Sequence, residues 1–380
     1  MNSNAVFRLL HLDRKIDKPM PKKIEKILII RFSSLGDVIL TTPVIGVLKT
    51  KFPQSRIFFL TKAQYGDILK NDPRIFSLME FDPRERHKGF SGFMSLVSEL
   101  RSYDFDLLVD LHANLRSFFV RHLVKSKIKL KYNKRWLSRF LMVHCKFFKT
   151  KSIHTVNSYM KVLKKMQTNT PEKNPLIFLS RDDEESSRLF LLEQKVEKDD
   201  IVVGVHPGAR WQTKRWDEGK FKQVCQDLIG RHNCKIMLLG DAGDEELIEN
   251  ISKDIPNAKL IKTVGLPTGR FMSLIRRCDC LITNDSGPMH MASALQVPVV
   301  AIFGPTHPRL GFAPVGSENV VLCANVKCSP CSLHGEKRCS MRSRFCMDLI
   351  GPEMVVEAVE RLIGENKSIL KETCPQDLEN

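Results

Sequence analysis

Residues 280–303 read CLITNDSGPMHMASALQVPVVAIF, and this stretch decides the fold. A short apolar run, CLIT, leads into the turn NDSG, and Pro288 follows where the first residue of a helix is expected. After the helical segment comes a second apolar run of strand length, residues 297–303. A strand, a tight turn, a helix and another strand in this order predict one unit of a parallel α/β sheet.

The same alternation extends in both directions along the chain. Further apolar runs of strand length occupy residues 26–32, 56–61, 106–111, 201–206 and 235–239. They predict an α/β protein with two Rossmann-like, doubly wound domains that face a central cleft, where ligands bind at the carboxyl ends of the strands. The predicted organisation is a flexible tail (1–25), a first domain (26–175), a linker (176–200), a second domain (201–351), and a C-terminal helix and tail (352–380).

The charge of the chain limits its partners. Its 380 residues include 60 Lys and Arg against 43 Asp and Glu, a net charge of +17, which attracts phosphate-rich molecules. Much of the excess lies in residues 121–173. Because no nucleic-acid-binding motif is visible, an anionic membrane surface or a phosphorylated glycolipid is favoured over nucleic acid. Solubility alone is the other explanation.

Three features of the sequence bear on the compartment. No secretory signal is visible, and no apolar run approaches the roughly 20 residues that span a bilayer. Eleven cysteines, an odd number, are typical of a reducing compartment. We therefore expect a cytoplasmic protein that is peripheral at the inner membrane.

The first turn that could carry chemistry is FSSLGD, residues 32–37. Gly36 allows a ligand or another backbone to come close, and Asp37 would face the cleft. A carboxylate there can take a proton from an attacking hydroxyl group. On the local sequence alone a simpler role is favoured, in which Asp37 caps the helix that follows.

The second turn, HPGARWQTKRW, spans residues 206–216. Gly208, the loop amides and a lysine ahead of a helix N-terminus would form an anion site, in which Lys214 neutralises a leaving diphosphate. The alternative is an ordinary basic surface loop. Because Thr213 and Lys214 lie between two tryptophans, a functional site is favoured.

Two more turns follow strands of the second domain. In NDSGPMH, the amides of Ser286 and Gly287 would point at a phosphate, and His290 is either a core histidine or a polar contact to the ligand. In GDAGDEE, residues 240–246, an acid could bond ribose hydroxyls. Acids at a helix start also complement its dipole, so at most one of them is expected to touch ribose.

A cysteine cluster stands apart from these turns. Four thiols fall within nineteen residues, and they are a candidate zinc site: Cys328, Cys331, Cys339 and Cys346. The spacing is less regular than in a paired CxxC ribbon, and free thiols are the favoured interpretation.

Four stretches together closely resemble the ADP-heptose:lipopolysaccharide heptosyltransferases, glycosyltransferase family 9. They are FSSLGDVILTTPVIGVLK (32–49), DLHANLRS (110–117), HPGARWQTKRWDEGKF (206–221) and NDSGPMHMASALQVPVVAIFGPT (284–306). The cysteine-rich segment 328–347 resembles the heptosyltransferase II branch. The resemblance extends from about residue 26 to 363, and the order and spacing of the motifs carry it.

The resemblance implies a GT-B fold and an inverting transfer that needs no metal or other cofactor. It assigns the catalytic base to Asp37. It also implies donor-binding residues in the second domain: Gly208, Thr213, Lys214, Glu245, Asp285, Ser286, Gly287 and His290. On the acceptor side we expect Ser34, Gly36 and Arg116. Two residues depart from the family pattern, Asp217 in place of a more usual Pro and His307 in place of a commoner Asp.

The predicted function is transfer of heptose from ADP-L-glycero-D-manno-heptose to the inner core of lipopolysaccharide. The expected partners are this ADP-sugar, an anionic lipid-linked saccharide acceptor of the Kdo/heptose-lipid A type, and an anionic membrane. Two alternatives are a non-catalytic protein that binds sugar nucleotides or lipopolysaccharide, and a sugar-nucleotide epimerase of the same fold. An epimerase would need more acid and base residues in the cleft than Asp37.

Overall fold

Two parallel sheets form the core of the protein. The structure is a computed structural model that describes residues 23–145, 152–166, 174–316 and 318–372. The predicted N-terminal tail therefore lies outside the described residues except for 23–25. The two sheets are built from these strands: β1 Lys26–Ile30, β2 Arg56–Lys62, β3 Ser77–Phe81, β4 Phe105–Asp110, β5 Ser126–Lys131, β6 Val202–His206, β7 Lys235–Gly240, β8 Leu260–Val264, β9 Cys280–Asn284, β10 Val299–Phe303 and β11 Asn319–Cys323.

The first sheet has the order β3-β2-β1-β4-β5 and the second the order β11-β10-β9-β6-β7-β8, and every strand pair is parallel. Strands β1, β6, β9 and β10 are apolar runs whose side chains are almost all buried, as in sheets covered on both faces. In each sheet the order reverses beside the first strand of that sheet, which places a crevice at the carboxyl ends of the strands.

The strands alternate with α-helices, whose bounds are α1 Leu35–Ile39, α2 Thr42–Lys51, α3 Gly89–Arg101, α4 Leu115–Leu123, α5 Trp136–His144, α6 Thr155–Met160, α7 Arg181–Glu193, α8 Glu218–His232, α9 Glu245–Ser252, α10 Thr268–Arg276, α11 Gly287–Ala294, α12 Phe345–Asp348 and α13 Pro352–Glu372. Local signals account for several of these starts. Pro288 stands in the first turn of α11, and Asp217 caps α8 because its carboxylate accepts a hydrogen bond from the amide of Lys220, 3.1 Å away.

Two segments of the structure differ from the simplest prediction made from the sequence. The segment 176–200, predicted as a linker, contains the three-and-a-half-turn helix α7, whose start is capped by the Ser180 hydroxyl. The basic stretch 121–173 is not exposed throughout. Arg121 is buried, and its guanidinium lies 3.8 Å from the Asp110 carboxylate. Residues 146–151 and 167–173 of that stretch lie outside the described residues.

Candidate functional site

A cleft of about 1030 Å³ opens between the two sheets, and residues from both of them line it. The loop after β1 meets the start of α11 across this cleft. Gly36 is required there, because a Cβ atom at this position would collide with the imidazole of His290. Leu35 packs in the same way against Gly287. The volume is at the upper end of the range for small-molecule sites, roughly 300–1,000 Å³.

Asp37 lies in the wall of this cleft, held by three side chains. The guanidinium of Arg31 is 2.6 Å from Oδ2, and the hydroxyl of Ser34 donates to the same oxygen at 2.9 Å. The hydroxyl of Tyr159, which is fully buried, donates to Oδ1 at 3.0 Å. Asp37 therefore has a fixed position, and Oδ1 keeps a lone pair for a further donor.

The charge state of Asp37 follows from these contacts. Burial alone would raise its pKa, but the charge of Arg31, with the hydrogen bonds from Ser34 and Tyr159, lowers the pKa to about 2. The amide of Ser34 also donates to Asp37 Oδ2 at 3.3 Å, which completes a capping box at the start of α1. Asp37 thus caps the helix and also lies at the cleft as a carboxylate, while its role as a base stays a prediction.

Three buried histidines surround the cleft as neutral rings. Burial lowers the pKa of His112 to about 3, and it lowers those of His206 and His290 to about 4. Among the residues that the structure describes, the Nδ1 atom of each has no hydrogen-bond partner. Unpaired buried polar atoms at a cavity wall are groups that a ligand can satisfy. All three histidines line the cleft, and contact between His290 and a ligand stays a prediction.

The second domain contributes an ion pair to the cleft. Lys214 Nζ lies 2.7 Å from Asp285 Oδ2, and both side chains are largely buried. The hydroxyl of Thr306 donates to the same carboxylate oxygen at 2.5 Å. Lys214, Asp285, Ser286 and Gly287 all line the cleft. The residues of the predicted anion site therefore come together, with a lysine beside the N-terminus of α11, and anion binding by them stays a prediction.

The acids after β7 are arranged differently from the prediction. Glu245 is exposed and is not among the residues that line the cleft, whereas Asp241 and Asp244 are. Asp244 is buried against Gly208, and its Oδ1 is 3.2 Å from Arg215. Since Arg215 already pairs with Asp244, the exposed Asp241 is the acid that remains available to a ligand.

Two residues predicted to bind ligands have partners within the protein. The Thr213 hydroxyl donates to the carbonyl of Glu336 at 2.8 Å and accepts from its amide at 2.9 Å. The Ser34 hydroxyl is bonded to Asp37, as described above. Thr213 does not line the cleft, while Ser34 and Gly36 do.

Arg116 belongs to a group of cations at the edge of the first domain. Its guanidinium lies 5.8 Å from the ring centre of Phe81. Burial, followed by the charges of Arg116, Arg84 and Arg210, lowers the pKa of Lys62. Arg210 and Lys134 line the cleft, whereas Arg116 is not among its lining residues. An anion bound here would relieve the repulsion between these groups.

The four predicted cysteines line a second cavity, of about 250 Å³. Within the described ranges, however, no three or more His, Cys, Asp or Glu side chains are grouped so that they could hold a metal ion. None of the four forms a disulfide in this structure; Cys346 is buried and the other three are half-buried. Burial raises the pKa of Cys346 to about 11.

Sequence reasoning missed several residues of the cleft. Arg31 directly precedes the FSSLGD turn, so its proximity to Asp37 could have been considered. His112 stands in the DLHANLRS stretch, but no role was assigned to it. Tyr159 is 122 positions from Asp37, and no local pattern predicts that contact.

Comparisons with known proteins bear on the family and the fold of this chain. The family model described as glycosyltransferase family 9 (heptosyltransferase) matches residues 93–341. A lipooligosaccharide heptosyltransferase 2 of Campylobacter jejuni is 26% identical over 342 residues, which is 87% of this chain and 95% of that protein.

Two solved structures share the fold. A family 9 glycosyltransferase of Veillonella parvula superposes with a TM-score of 0.76 at 25% identity, and the match covers 92% of this chain and 100% of that chain. The ADP-heptose lps heptosyltransferase II of E. coli has a TM-score of 0.69 at 20% identity, with coverages of 90% and 99%. The predicted GT-B architecture of two Rossmann-like domains is thereby confirmed.

Proposed function

The chain belongs to glycosyltransferase family 9 (heptosyltransferase), and from this premise we propose that it transfers heptose from ADP-L-glycero-D-manno-heptose to the lipopolysaccharide inner core, with Asp37 as the general base. The observation that carries the proposal is the position of an ionised Asp37 on one wall of a cleft whose other wall holds Lys214 and the start of α11. Family membership favours this function over the non-catalytic and epimerase alternatives.

The contacts of Asp37 support its role as the base. Because Arg31 and Ser34 occupy Oδ2, the acceptor hydroxyl would approach Oδ1, beside the Tyr159 hydroxyl. A carboxylate with a pKa of about 2 is a weak base, so it would take the proton late, when bond formation to the anomeric carbon has made the hydroxyl acidic. The attack opposite the leaving ADP inverts the anomeric centre, through an oxocarbenium-like transition state.

The second domain would stabilise the leaving ADP. Negative charge grows on the diphosphate as the glycosidic bond breaks, and fixed donors beside it lower the barrier. Lys214, the start of α11 at Ser286 and Gly287, and the neutral His290 are the groups that the cleft offers for this purpose. We assign the ribose contact to Asp241 rather than to Glu245, because only Asp241 lines the cleft.

The cations of the first domain would bind the anionic acceptor. After burial, which is the largest cause, the charges of Arg116 and Arg84 in the first domain and of Arg210 in the second lower the pKa of Lys62. Phosphates and the carboxylates of Kdo sugars are the acceptor groups that such a cluster suits. Closure of the two domains on both substrates would exclude water, which would otherwise hydrolyse the sugar nucleotide.

We propose that the enzyme works at the cytoplasmic face of the inner membrane and contacts it through α5. Three large apolar side chains of this helix are exposed, Trp136 (63%), Leu137 (60%) and Phe140 (37%), and we call them the aromatic ridge. The Trp136 and Phe140 rings stack with centroids 5.3 Å apart. Tryptophan favours the membrane–water interface, and the adjoining Lys134 and Arg135 suit anionic lipid.

Two further observations bear on the contact with the membrane. In the described part of the chain, no helix combines the length and apolar character that crossing a bilayer requires. The ridge lies directly after Lys134, which lines the cleft, so the membrane would be close to the place where the lipid-linked acceptor enters.

The experiment that tests the function measures ADP release from ADP-heptose with and without a Kdo-lipid A acceptor. A heptosyltransferase releases ADP only when the acceptor is present, and the glycolipid gains one heptose by mass spectrometry. A binding protein would release no ADP in either case, and an epimerase would convert the donor without acceptor. Either of those results would overturn the proposal.

A further inference from the structure

The loop that carries Lys214 is held by a distant part of the chain. Residues 328–346, which we call the cysteine-rich loop, reach the cleft at their centre, where Leu333 and His334 line it. The hydroxyl of Ser332 accepts hydrogen bonds from the amides of Gly335, at 2.9 Å, and His334, at 3.2 Å. These bonds give the centre of the cysteine-rich loop a defined shape.

Three hydrogen bonds connect this loop to Thr213, the neighbour of Lys214. The Thr213 hydroxyl donates to the carbonyl of Glu336 and accepts from its amide, at 2.8 and 2.9 Å, and the Thr213 amide donates to the same carbonyl at 3.3 Å. Thr213 is buried, whereas Glu336 is exposed. The hydroxyl of Thr213 is thus used for joining two loops.

Gly335 packs directly on the stem of Lys214. Its φ of +98° lies in a region that favours glycine. A Cβ atom built there would be 2.8 Å from Lys214 Cδ and 2.8 Å from Trp211 Cβ, both too close for real contacts. The backbone of Gly335 therefore forms the surface against which the lysine side chain rests, with its ammonium group on Asp285.

The other side of this junction is not packed core. Thr213 and Glu336 also line the cavity of about 250 Å³ that the four thiols surround. Close packing normally restricts a loop from all sides, and here one side is open. The contacts that Thr213 and Gly335 make therefore add to the Asp285 ion pair in holding Lys214 in position.

We propose that Thr213 and Gly335 are positioning residues for Lys214, which fix its ammonium group where the donor diphosphate binds. The inference rests on the proposed function, in which Lys214 contacts that diphosphate. It assigns the cysteine-rich loop to the donor site, and it gives Thr213 a role in orienting the lysine rather than in touching the ADP-sugar.

Three variants of the full chain test the inference: Thr213→Val, which keeps the shape and loses the hydroxyl, Thr213→Ser, which keeps the hydroxyl, and Gly335→Ala. We expect Thr213→Val and Gly335→Ala to weaken ADP binding about tenfold by calorimetry and to lower kcat/KM for the ADP-sugar similarly, with the acceptor KM unchanged. Thr213→Ser should retain wild-type values. Equal losses in Thr213→Ser and Thr213→Val would overturn the role of the hydroxyl.

A double-mutant cycle with Lys214→Ala separates positioning from folding. If Thr213 acts through the lysine, Thr213→Val should cause no further loss of ADP affinity once Lys214 is removed. Additive losses would show that Thr213 acts on the fold, and the inference would fail while Lys214 remained a donor contact. An unchanged ADP affinity in Lys214→Ala alone would instead overturn the donor role of Lys214 in the proposed function, and the inference with it.

Discussion

Replacement of Asp37 by asparagine tests the centre of the mechanism. Asparagine keeps the shape of the side chain but cannot accept the proton that the acceptor hydroxyl must lose. Among the described side chains that contact the Asp37 carboxylate, Arg31, Ser34 and Tyr159 all act as donors, so none of these three is placed to accept the proton instead. We therefore expect kcat to fall about a hundredfold or more, the size of a general-base contribution.

The same change should reduce stability by a calculable amount. The pKa of Asp37 is lowered from 3.8 to about 2 in the folded protein, a difference equivalent to about 2 kcal/mol. A group whose pKa is lowered on folding stabilises the protein above its unfolded pKa, and this contribution is lost as the pH falls through about 2. At neutral pH, Asp37→Asn loses the whole of this stabilisation and leaves the buried Arg31 guanidinium without its anionic partner.

Three measurements distinguish loss of chemistry from loss of structure. Acceptor-dependent ADP release gives kcat, calorimetry gives the affinity for ADP, and thermal unfolding reports the stability cost. ADP affinity should stay near the wild-type value, because Lys214 and the start of α11 belong to the other domain. Ser34→Ala is the matched control: it removes one hydrogen bond to Asp37 and keeps the carboxylate, so it should cost roughly tenfold or less in kcat. Turnover of Asp37→Asn within a few fold of wild type would refute the assignment of the base.

Three further predictions concern charge, metal and membrane. Arg31→Met removes the charge that lowers the pKa of Asp37, so the acidic limb of the pH–rate profile should move up by about 1–3 units; an unshifted limb would contradict the role of Arg31. Transfer should survive excess EDTA, because Lys214 and a helix N-terminus neutralise the diphosphate; loss of activity that magnesium restores would argue against this. The double variant Trp136→Ala/Phe140→Ala should reduce sedimentation with anionic liposomes and raise the KM for the lipid acceptor. The control Leu189→Ala/Leu192→Ala removes exposed apolar side chains from a helix that begins with acids, and it should change neither quantity. Equal binding by both double variants would remove the ridge from the proposal.

The lysines in and just before β5 are weaker candidates for the membrane contact than their number in the sequence suggests. Lys127 lies 2.6 Å from Asp106, and Lys129 is half-buried. Lys125 and Lys131 remain exposed. Raising the salt concentration should still increase the acceptor KM more than the donor KM, since charges at the surface are screened over about 8 Å at physiological ionic strength.

The amino-acid sequence determined the features that depend on neighbouring residues. Apolar runs separated by helical segments determined the parallel strands, because side chains buried on both faces of a sheet must be apolar in succession. The turns FSSLGD and NDSG were placed at strand ends by their own turn chemistry. The family resemblance, now confirmed, rested on the order of such local motifs.

Only the tertiary structure decided which atoms of those motifs face the cleft. Asp241 and Glu245 are four residues apart in one acidic run, yet only Asp241 lines the cleft, because a 3₁₀ turn and the start of α9 intervene. Thr213 and Glu336, or Asp37 and Tyr159, are more than a hundred positions apart, and the free energy of such contacts comes from packing that no local pattern records. The sequence therefore located the site, whereas the hydrogen bonds and charges that determine the state of each group come from residues that only folding brings together.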